Sequence, residues 1–461
     1  MSGIVKNNAR IFSTVFIRWN CLTQSEKVTV VSIILIPLWW LLGWKYLFLL
    51  LATSLALHDI FSENGLHLQR PTIPVLSAIG FGLYGILSKY FYSQSNNESI
   101  NPNSITWPLD GWVGFGLILW YIQSHKIRIR LNVLAWSLTI VALQMVLFWL
   151  VIYFVWKQGD YTASRSLFGL ITGKGEEFIP GAGNSNYLMP YFPTDISLPG
   201  LVRYIYFFHG PESLALFVGF VCLVALDIKN RLWSWLLFST SVFLLLTSGT
   251  RAVWVALPAV LFLRYFFIVG SWVGAWVLCA VIAIGCFAGL SVPAVSNMLF
   301  HSATNTAQST SSFRGDSSEV RSEIYRRTFR GITEASDAKL IFGHVVTGEG
   351  VLPGYAPAVV GSHSFLLGSL LYRSGLVGTG IFLTYWVSLI FWLYNTRTGR
   401  PISCAMTFVL FSLTFSTMEL ELPVMPITLI FAMLCTDFKR VVKKENTGLM
   451  RKSLIFRRDN S

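Results

Sequence analysis

Three arginines and one histidine, far apart in the chain, sit among neighbours suited to a phosphate-bearing substrate: Arg203, Arg251, Arg321 and His363. Arg203 opens the segment Arg-Tyr-Ile-Tyr-Phe-Phe-His-Gly-Pro-Glu-Ser at 203–213. A guanidinium forks onto phosphate oxygens, and aromatic faces pack on sugar rings. Tyr206, His209 and Glu212 of that segment are therefore candidate substrate contacts. An interfacial aromatic belt with a snorkelling arginine has the same composition. Arg251 closes Thr247-Ser248-Gly249-Thr250-Arg251, a tight turn in which Gly249 permits an unusual backbone angle. A charge at the start of a membrane span is expensive unless it serves an anion or anchors at the interface.

Arg321 lies in a stretch, 317–335, where Val320, Ile324, Thr328 and Ile332 recur at helical spacing. Its companions Arg326, Arg327 and Arg330 read mostly as a solvated face with i,i+4 pairs such as Glu323 with Arg327. His363 stands in Gly361-Ser362-His363-Ser364-Phe365, directly before a hydrophobic run. Imidazole is the side chain best suited to take a proton near neutral pH, although a lone histidine is as readily structural. Ser364 beside it is a further candidate contact. Glu419 and Glu421 can orient a base, bind an acceptor hydroxyl or pair with an arginine. The chain holds no HExxH, Asp-x-Asp or Walker glycine loop. Charge developing on a departing diphosphate would then be neutralised by Arg203, Arg251 and Arg321.

These residues need a scaffold, and composition names its class. Hydrophobic residues make up 54% of the chain and charged ones 12%, against about 25% charged in soluble proteins. Apolar runs of about 17–25 residues, each long enough to cross a bilayer, imply an all-α polytopic membrane protein. The runs are continuous rather than alternating, which argues against a β-barrel. Twelve spans are expected, at 28–43, 45–61, 72–92, 107–123, 132–155, 213–228, 232–248, 252–269, 271–291, 375–394, 401–418 and 424–437. The excess of 35 basic over 22 acidic residues fits anionic lipid and topology better than nucleic acid. Cys21, Cys222, Cys279, Cys286, Cys404 and Cys435 suggest neither a disulfide framework nor a zinc site.

Lys and Arg in short loops set the orientation. They place the N-terminal segment 1–27, Lys126 to Arg130, Lys229 with Arg231, Arg397 with Arg400 and the basic tail 438–461 in the cytoplasm. The N-terminus lacks the cleavage site of a signal peptide. Helices at 28–155, 213–291 and 375–437 then flank two long outer loops, 156–212 and 292–374. The outer rim is where the arginines and His363 are expected to converge.

In this order and on one side of the membrane, the motifs resemble the O-antigen ligase and O-antigen polymerase superfamily of bacterial envelope glycosyltransferases. The residues that carry the likeness are Arg203 leading to Gly210-Pro211-Glu212, Ser248-Gly249-Thr250-Arg251, Arg321 with Tyr325, Gly343, His363-Ser364 and Gly375-Leu376-Val377-Gly378. Glu212 replaces the usual Asn, and Arg373 stands where a Glu is common. The resemblance implies a GT-C-type fold of about 12 transmembrane helices in the bacterial inner membrane, with its site facing the periplasm. It implies transfer of a glycan from undecaprenyl diphosphate, without metal or other cofactor. The acceptor is a lipid A–core hydroxyl in a ligase, or a second lipid-linked repeat unit in an O-antigen, capsule or exopolysaccharide polymerase. By resemblance Arg203 and Arg251 hold the diphosphate, Arg321 assists and His363 deprotonates the acceptor. A transporter or flippase is the rival of another class; it predicts broken helices and charges at mid-membrane.

Overall fold

The computed structural model describes residues 17–44, 46–62, 65, 68–97, 99, 102–157, 162–171, 187–198, 201–269, 315–351, 358–419 and 424–437. A helix occupies every predicted span except 271–291, which lies outside the described residues, as does the tail from 438 onward. By length and composition, four helical stretches can cross a membrane: Ile73–Ser95, Leu131–Val155, Arg231–Ser248 and Phe365–Asn395. A bent pair, Gln24–Ile34 with Ile36–Leu42, is a fifth if it counts as one span. The chain is a mostly helical, multi-pass membrane protein. Others of the twelve are shorter than the run lengths suggested; the helix Pro211–Ala225 is an example.

The chain divides into two compact units, one formed by 1–253, 377–412 and 420–461, the other by 254–376 and 413–419. The first unit opens with α1 (Gln24–Ile34). Thr23 accepts from the Glu26 backbone N–H, and Glu26 returns the bond to the Thr23 N–H, which satisfies two orphan donors of the first turn. The break to α2 (Ile36–Leu42) bends the path by 59°. Pro37 at the second position of α2 has no N–H to continue the ladder. Then come α3 (Leu47–Ser62), α4 (Ile73–Ser95) and a helical stretch made of α5 (Pro102–Pro108), a π segment (Leu109–Gly114) and α6 (Phe115–Ser124). After a short strand β1 (Ile129–Arg130), α7 (Leu131–Leu150) runs into a second π segment, Val151–Val155.

The loop 156–212 is not uniformly irregular. It contains β2 (Ser164–Arg165), a one-turn α8 (Leu167–Ile171), β3 (Tyr187–Leu188), β4 (Tyr191–Leu198) and β5 (Leu201–Tyr204), with β2 pairing β3 and β4 pairing β5, both antiparallel. This departs from the all-helical expectation. The longer paired segments, Tyr191–Leu198 and Leu201–Tyr204, are rich in aromatic and branched residues that suit a pleated ladder, and the pairing satisfies their backbone groups. Next are α9 (Pro211–Ala225), α10 (Arg231–Ser248) and α11 (Arg251–Val269). Nearly every residue of α9 is buried, the mark of a helix in the middle of a bundle. Between lipid-bathed helices the attraction is close packing rather than water exclusion. Gly219 of α9 accordingly sits where an added Cβ would lie 2.9 Å from Leu410.

The second unit begins within α11 and holds α12 (Gly315–Thr333), α13 (Asp337–Phe342) and a π segment, Phe365–Ser374. The helical path into the last spans therefore starts at Phe365, ten residues before the expected 375, because Phe-Leu-Leu-Gly-Ser-Leu-Leu-Tyr is itself apolar. It continues as α14 (Gly375–Asn395), and α15 (Ile402–Thr414), α16 (Val424–Leu434) and β6 (Cys435–Thr436) complete the chain. In the first unit β6 pairs in parallel with β1. Nearby, Arg130 grips Glu26 at 2.6 Å, and the Ser403 N–H donates to Asp227. These contacts tie the first helices to the last.

Candidate functional site

The two motifs around Arg203 and Arg251 meet in the first unit. β5 carries Arg203 opposite Phe192 of β4. Its Nε donates to the Ser248 carbonyl at 2.9 Å and its Nη2 to Glu212 at 3.2 Å. Gly249 ends α10 at φ +64°, a left-handed form of the unusual backbone angle expected of this turn. Thr250 then donates to the Pro211 carbonyl at 3.0 Å. Tyr206, at φ +48°, is fully buried and shares a hydrogen bond with Thr247. Burial pushes its phenol pKa upward. His209 is buried with its ring at the edge of Trp44, whose indole donates to the Phe207 carbonyl. Arg251 is half-buried at the first position of α11.

This arrangement assigns Arg203 internal work that sequence reasoning did not assign. A buried guanidinium needs partners, and a carbonyl and a carboxylate supply them. Glu212, expected as a substrate contact, is the carboxylate. Tyr206 is sealed from any ligand by the same packing.

The motifs around Arg321 and His363 meet in the second unit, with Glu419. The face of α12 defined by Arg321, Tyr325 and Thr328 follows i, i+4, i+7 spacing. Tyr325 donates its hydroxyl to the His363 carbonyl at 3.1 Å, and Thr328 accepts from the Gly361 N–H at 2.9 Å. Arg321 lies one turn before Tyr325 on that face. Arg326 and Arg327 pair with Glu323, and Arg330 lies 3.6 Å from Glu334. Arg321 makes no ion pair or hydrogen bond with another described residue. The two arginines hold the Glu323 carboxyl down at about 2. Its pKa is lowered, so this brace is complete above about 4.5 and is lost only as pH falls through about 2.

His363 adopts φ +63°, a left-handed angle uncommon for any residue but glycine. Strain of this kind persists only where the surroundings over-determine it. Here they do. Tyr325 holds the carbonyl, Glu419 accepts from the backbone N–H at 3.4 Å, and Ser362 Oγ lies 2.6 Å from Nδ1. Ser362 Oγ also reaches the Val359 carbonyl at 2.7 Å. A carbonyl only accepts, so the single hydroxyl proton of Ser362 goes to Val359. Ser362 must then accept from His363, which puts the neutral ring's proton on Nδ1 and leaves Nε2 as the basic position.

Glu419 is positioned in turn by Arg373 at 2.6 Å, one of the roles its sequence allowed. Glu421 lies outside the described residues. Ser364 is buried. It caps the π segment by accepting from the Leu367 N–H, and it donates to the Ser416 carbonyl. Its oxygen serves the fold rather than a ligand. A π turn directly after a candidate base fits the tendency of such turns to mark functional sites.

The frame around this loop is tight. His344 stacks flat on Tyr372, with ring centroids 4.1 Å apart, and burial lowers its pKa. Gly343, at φ +84°, packs so that a Cβ would lie 2.2 Å from the Arg373 carbonyl oxygen. Gly343→Ala is therefore expected to cost about 2–4 kcal/mol of stability. Gly350→Ala, in open space, should be near neutral. Thermal unfolding of the purified variants, read by intrinsic fluorescence, checks the contrast.

Among the described residues no group of three or more His, Cys, Asp or Glu is placed to hold a metal. No protein-family model matches the chain, and no curated protein matches it.

Proposed function

We propose that the chain is a membrane glycosyltransferase. It moves a glycan from a polyprenyl diphosphate to a sugar hydroxyl, in the manner of an O-antigen ligase, at the outer face of the bacterial inner membrane. The observation that carries this is the left-handed His363, whose Nδ1 lies 2.6 Å from a Ser362 hydroxyl that also reaches the Val359 carbonyl. Its Nε2 is the atom that would take the acceptor's proton as that oxygen attacks the anomeric carbon. The C–O bond to the diphosphate breaks as the new one forms, and the leaving group gains negative charge. Arg321, on the helix face that touches the His363 loop, is the described cation suited to meet that charge. Tyr325, Ser362 and Glu419 act as positioning residues for the base.

A ligase takes a lipid A–core acceptor; a polymerase takes a second lipid-linked repeat, and the chemistry at His363 is the same. The flippase reading has one observation in its favour, the 59° break between α1 and α2, since broken spans line transport paths. The deciding experiment incubates purified protein with a lipid-diphosphate glycan and either lipid A–core or a second donor molecule. A product enlarged by one glycan block with the first acceptor is expected, in EDTA as well as without it. No product with either acceptor, together with donor translocation in sealed vesicles, would establish the flippase instead.

A further inference from the structure

The first unit contains a cavity of about 280 Å³ lined by none of Arg203, Arg251, Arg321 and His363, with Trp44, the neighbour of His209, closing one end. Its lining runs the length of one wall of α3. Along α3 it is lined by Leu47, Leu51, Ser54, Leu55 and His58. From Leu47 to His58 there are eleven helical steps, which at 1.5 Å each make this wall ~16 Å long, about half of a ~30 Å hydrocarbon core. The facing walls are Val28, Ser32 and Ile36 of α1 and α2, Ile118 of α6, and Ile430 and Phe431 of α16. The lining is overwhelmingly apolar, so the space suits hydrocarbon rather than water.

The two ends differ. Trp39, Trp44 and Phe48 form one end. The other is polar, where Gln24, Ser25, His58 and Tyr121 meet at the first turn of α1 and the last turns of α3 and α6. His58 is half-exposed there. The neighbouring carboxylates are already engaged. Asp59 is buried between the Tyr121 hydroxyl, at 2.9 Å, and His125 Nε2, at 3.2 Å, with His58 Nδ1 3.5 Å away. Glu26 is held by Arg130. Three basic residues lie beside lining positions at this end of the chain path: Lys27 precedes Val28 in α1, and Lys126 and Arg128 bracket Ile127.

We propose that this cavity holds one acyl chain of an anionic phospholipid drawn from the leaflet beside the basic loops. Three features select that occupant. The length matches one leaflet, the wall is hydrocarbon, and among the described residues the basic chain neighbours of the lining, Lys27, Lys126 and Arg128, lie at the polar end, where a headgroup phosphate would lie. The site is independent of the His363 chemistry and does not rest on it.

Photolabelling tests it on the full-length protein in vesicles of phosphatidylglycerol and phosphatidylcholine. Each lipid in turn carries a diazirine near the end of one chain. With the phosphatidylglycerol probe, adducts should concentrate on the lining residues of α1, α2 and α3. The double variant Ser32→Phe, Ser54→Phe fills the cavity. It should lose most of these adducts while keeping those on the lipid-facing Trp235 and Leu236 of α10. Equal labelling of the cavity by the phosphatidylcholine probe would overturn the headgroup selection. Displacement of the label from wild-type protein by excess polyprenyl phosphate would overturn the occupant. That competition needs no variant and stands whether or not the double substitution folds.

Discussion

His363→Asn should lose glycan transfer by about 10²–10⁴-fold, the usual contribution of a positioned general base, with its thermal unfolding unchanged. Asparagine is the informative replacement because it tolerates the left-handed angle that His363 adopts. It keeps a polar group opposite Ser362 but cannot accept a proton near neutral pH. His363→Ala should lose as much activity and some stability too, since alanine loses the Ser362 contact and disfavours φ +63°. The pair separates chemistry from backbone strain. Retention of more than about a tenth of wild-type kcat in the Asn variant, about 1.4 kcal/mol of barrier, would remove the base assignment. The same assay on Ser362→Ala should show a smaller loss, because the 2.6 Å contact that orients Nδ1 would be gone.

Arg321→Ala should cost about 10²–10³ in kcat, comparable to removing one preorganised donor from a site where negative charge develops. Arg321→Lys should recover only part of it, because an ammonium cannot fork onto two oxygens. The controls lie on the same helix. Arg326 and Arg330 are exposed and sit beside Glu323 and Glu334, and exposed pairs of this kind contribute little. Arg326→Ala and Arg330→Ala should therefore behave like wild type. If they fall as far as Arg321→Ala, the effect comes from the general charge of α12, and Arg321 has no special place.

The membrane character was legible from run length and charge deficit alone, because a span must be apolar for about twenty residues in a row. The helix around Arg321 was legible for a related reason. Its Val320, Ile324, Thr328 and Ile332 repeat within one helical period, and its Glu323–Arg327 pair is a four-residue contact, found at 2.7 Å. Gly249 was readable as a turn residue with an unusual backbone angle because glycine enters such angles most cheaply, and the angle proves to be a left-handed cap. The short strands between 164 and 204 were missed. Runs of two to eight residues without regular alternation leave no periodic trace.

Residues alone could nominate Arg203, Arg251, Arg321 and His363, since side-chain chemistry is a property of the monomer. Which partners each would find was not written locally. Arg203 meets the Ser248 carbonyl 45 positions away, Tyr325 meets His363 across 38, and Arg373 meets Glu419 across 46. Those contacts depend on how distant segments pack. Packing is what turned Arg203 into a buried strut and Ser364 into a cap, and it left Arg321 without a described partner. It also brought the Ser362 hydroxyl within 2.6 Å of His363 Nδ1 and 2.7 Å of the Val359 carbonyl, the geometry from which the ring's proton is assigned to Nδ1.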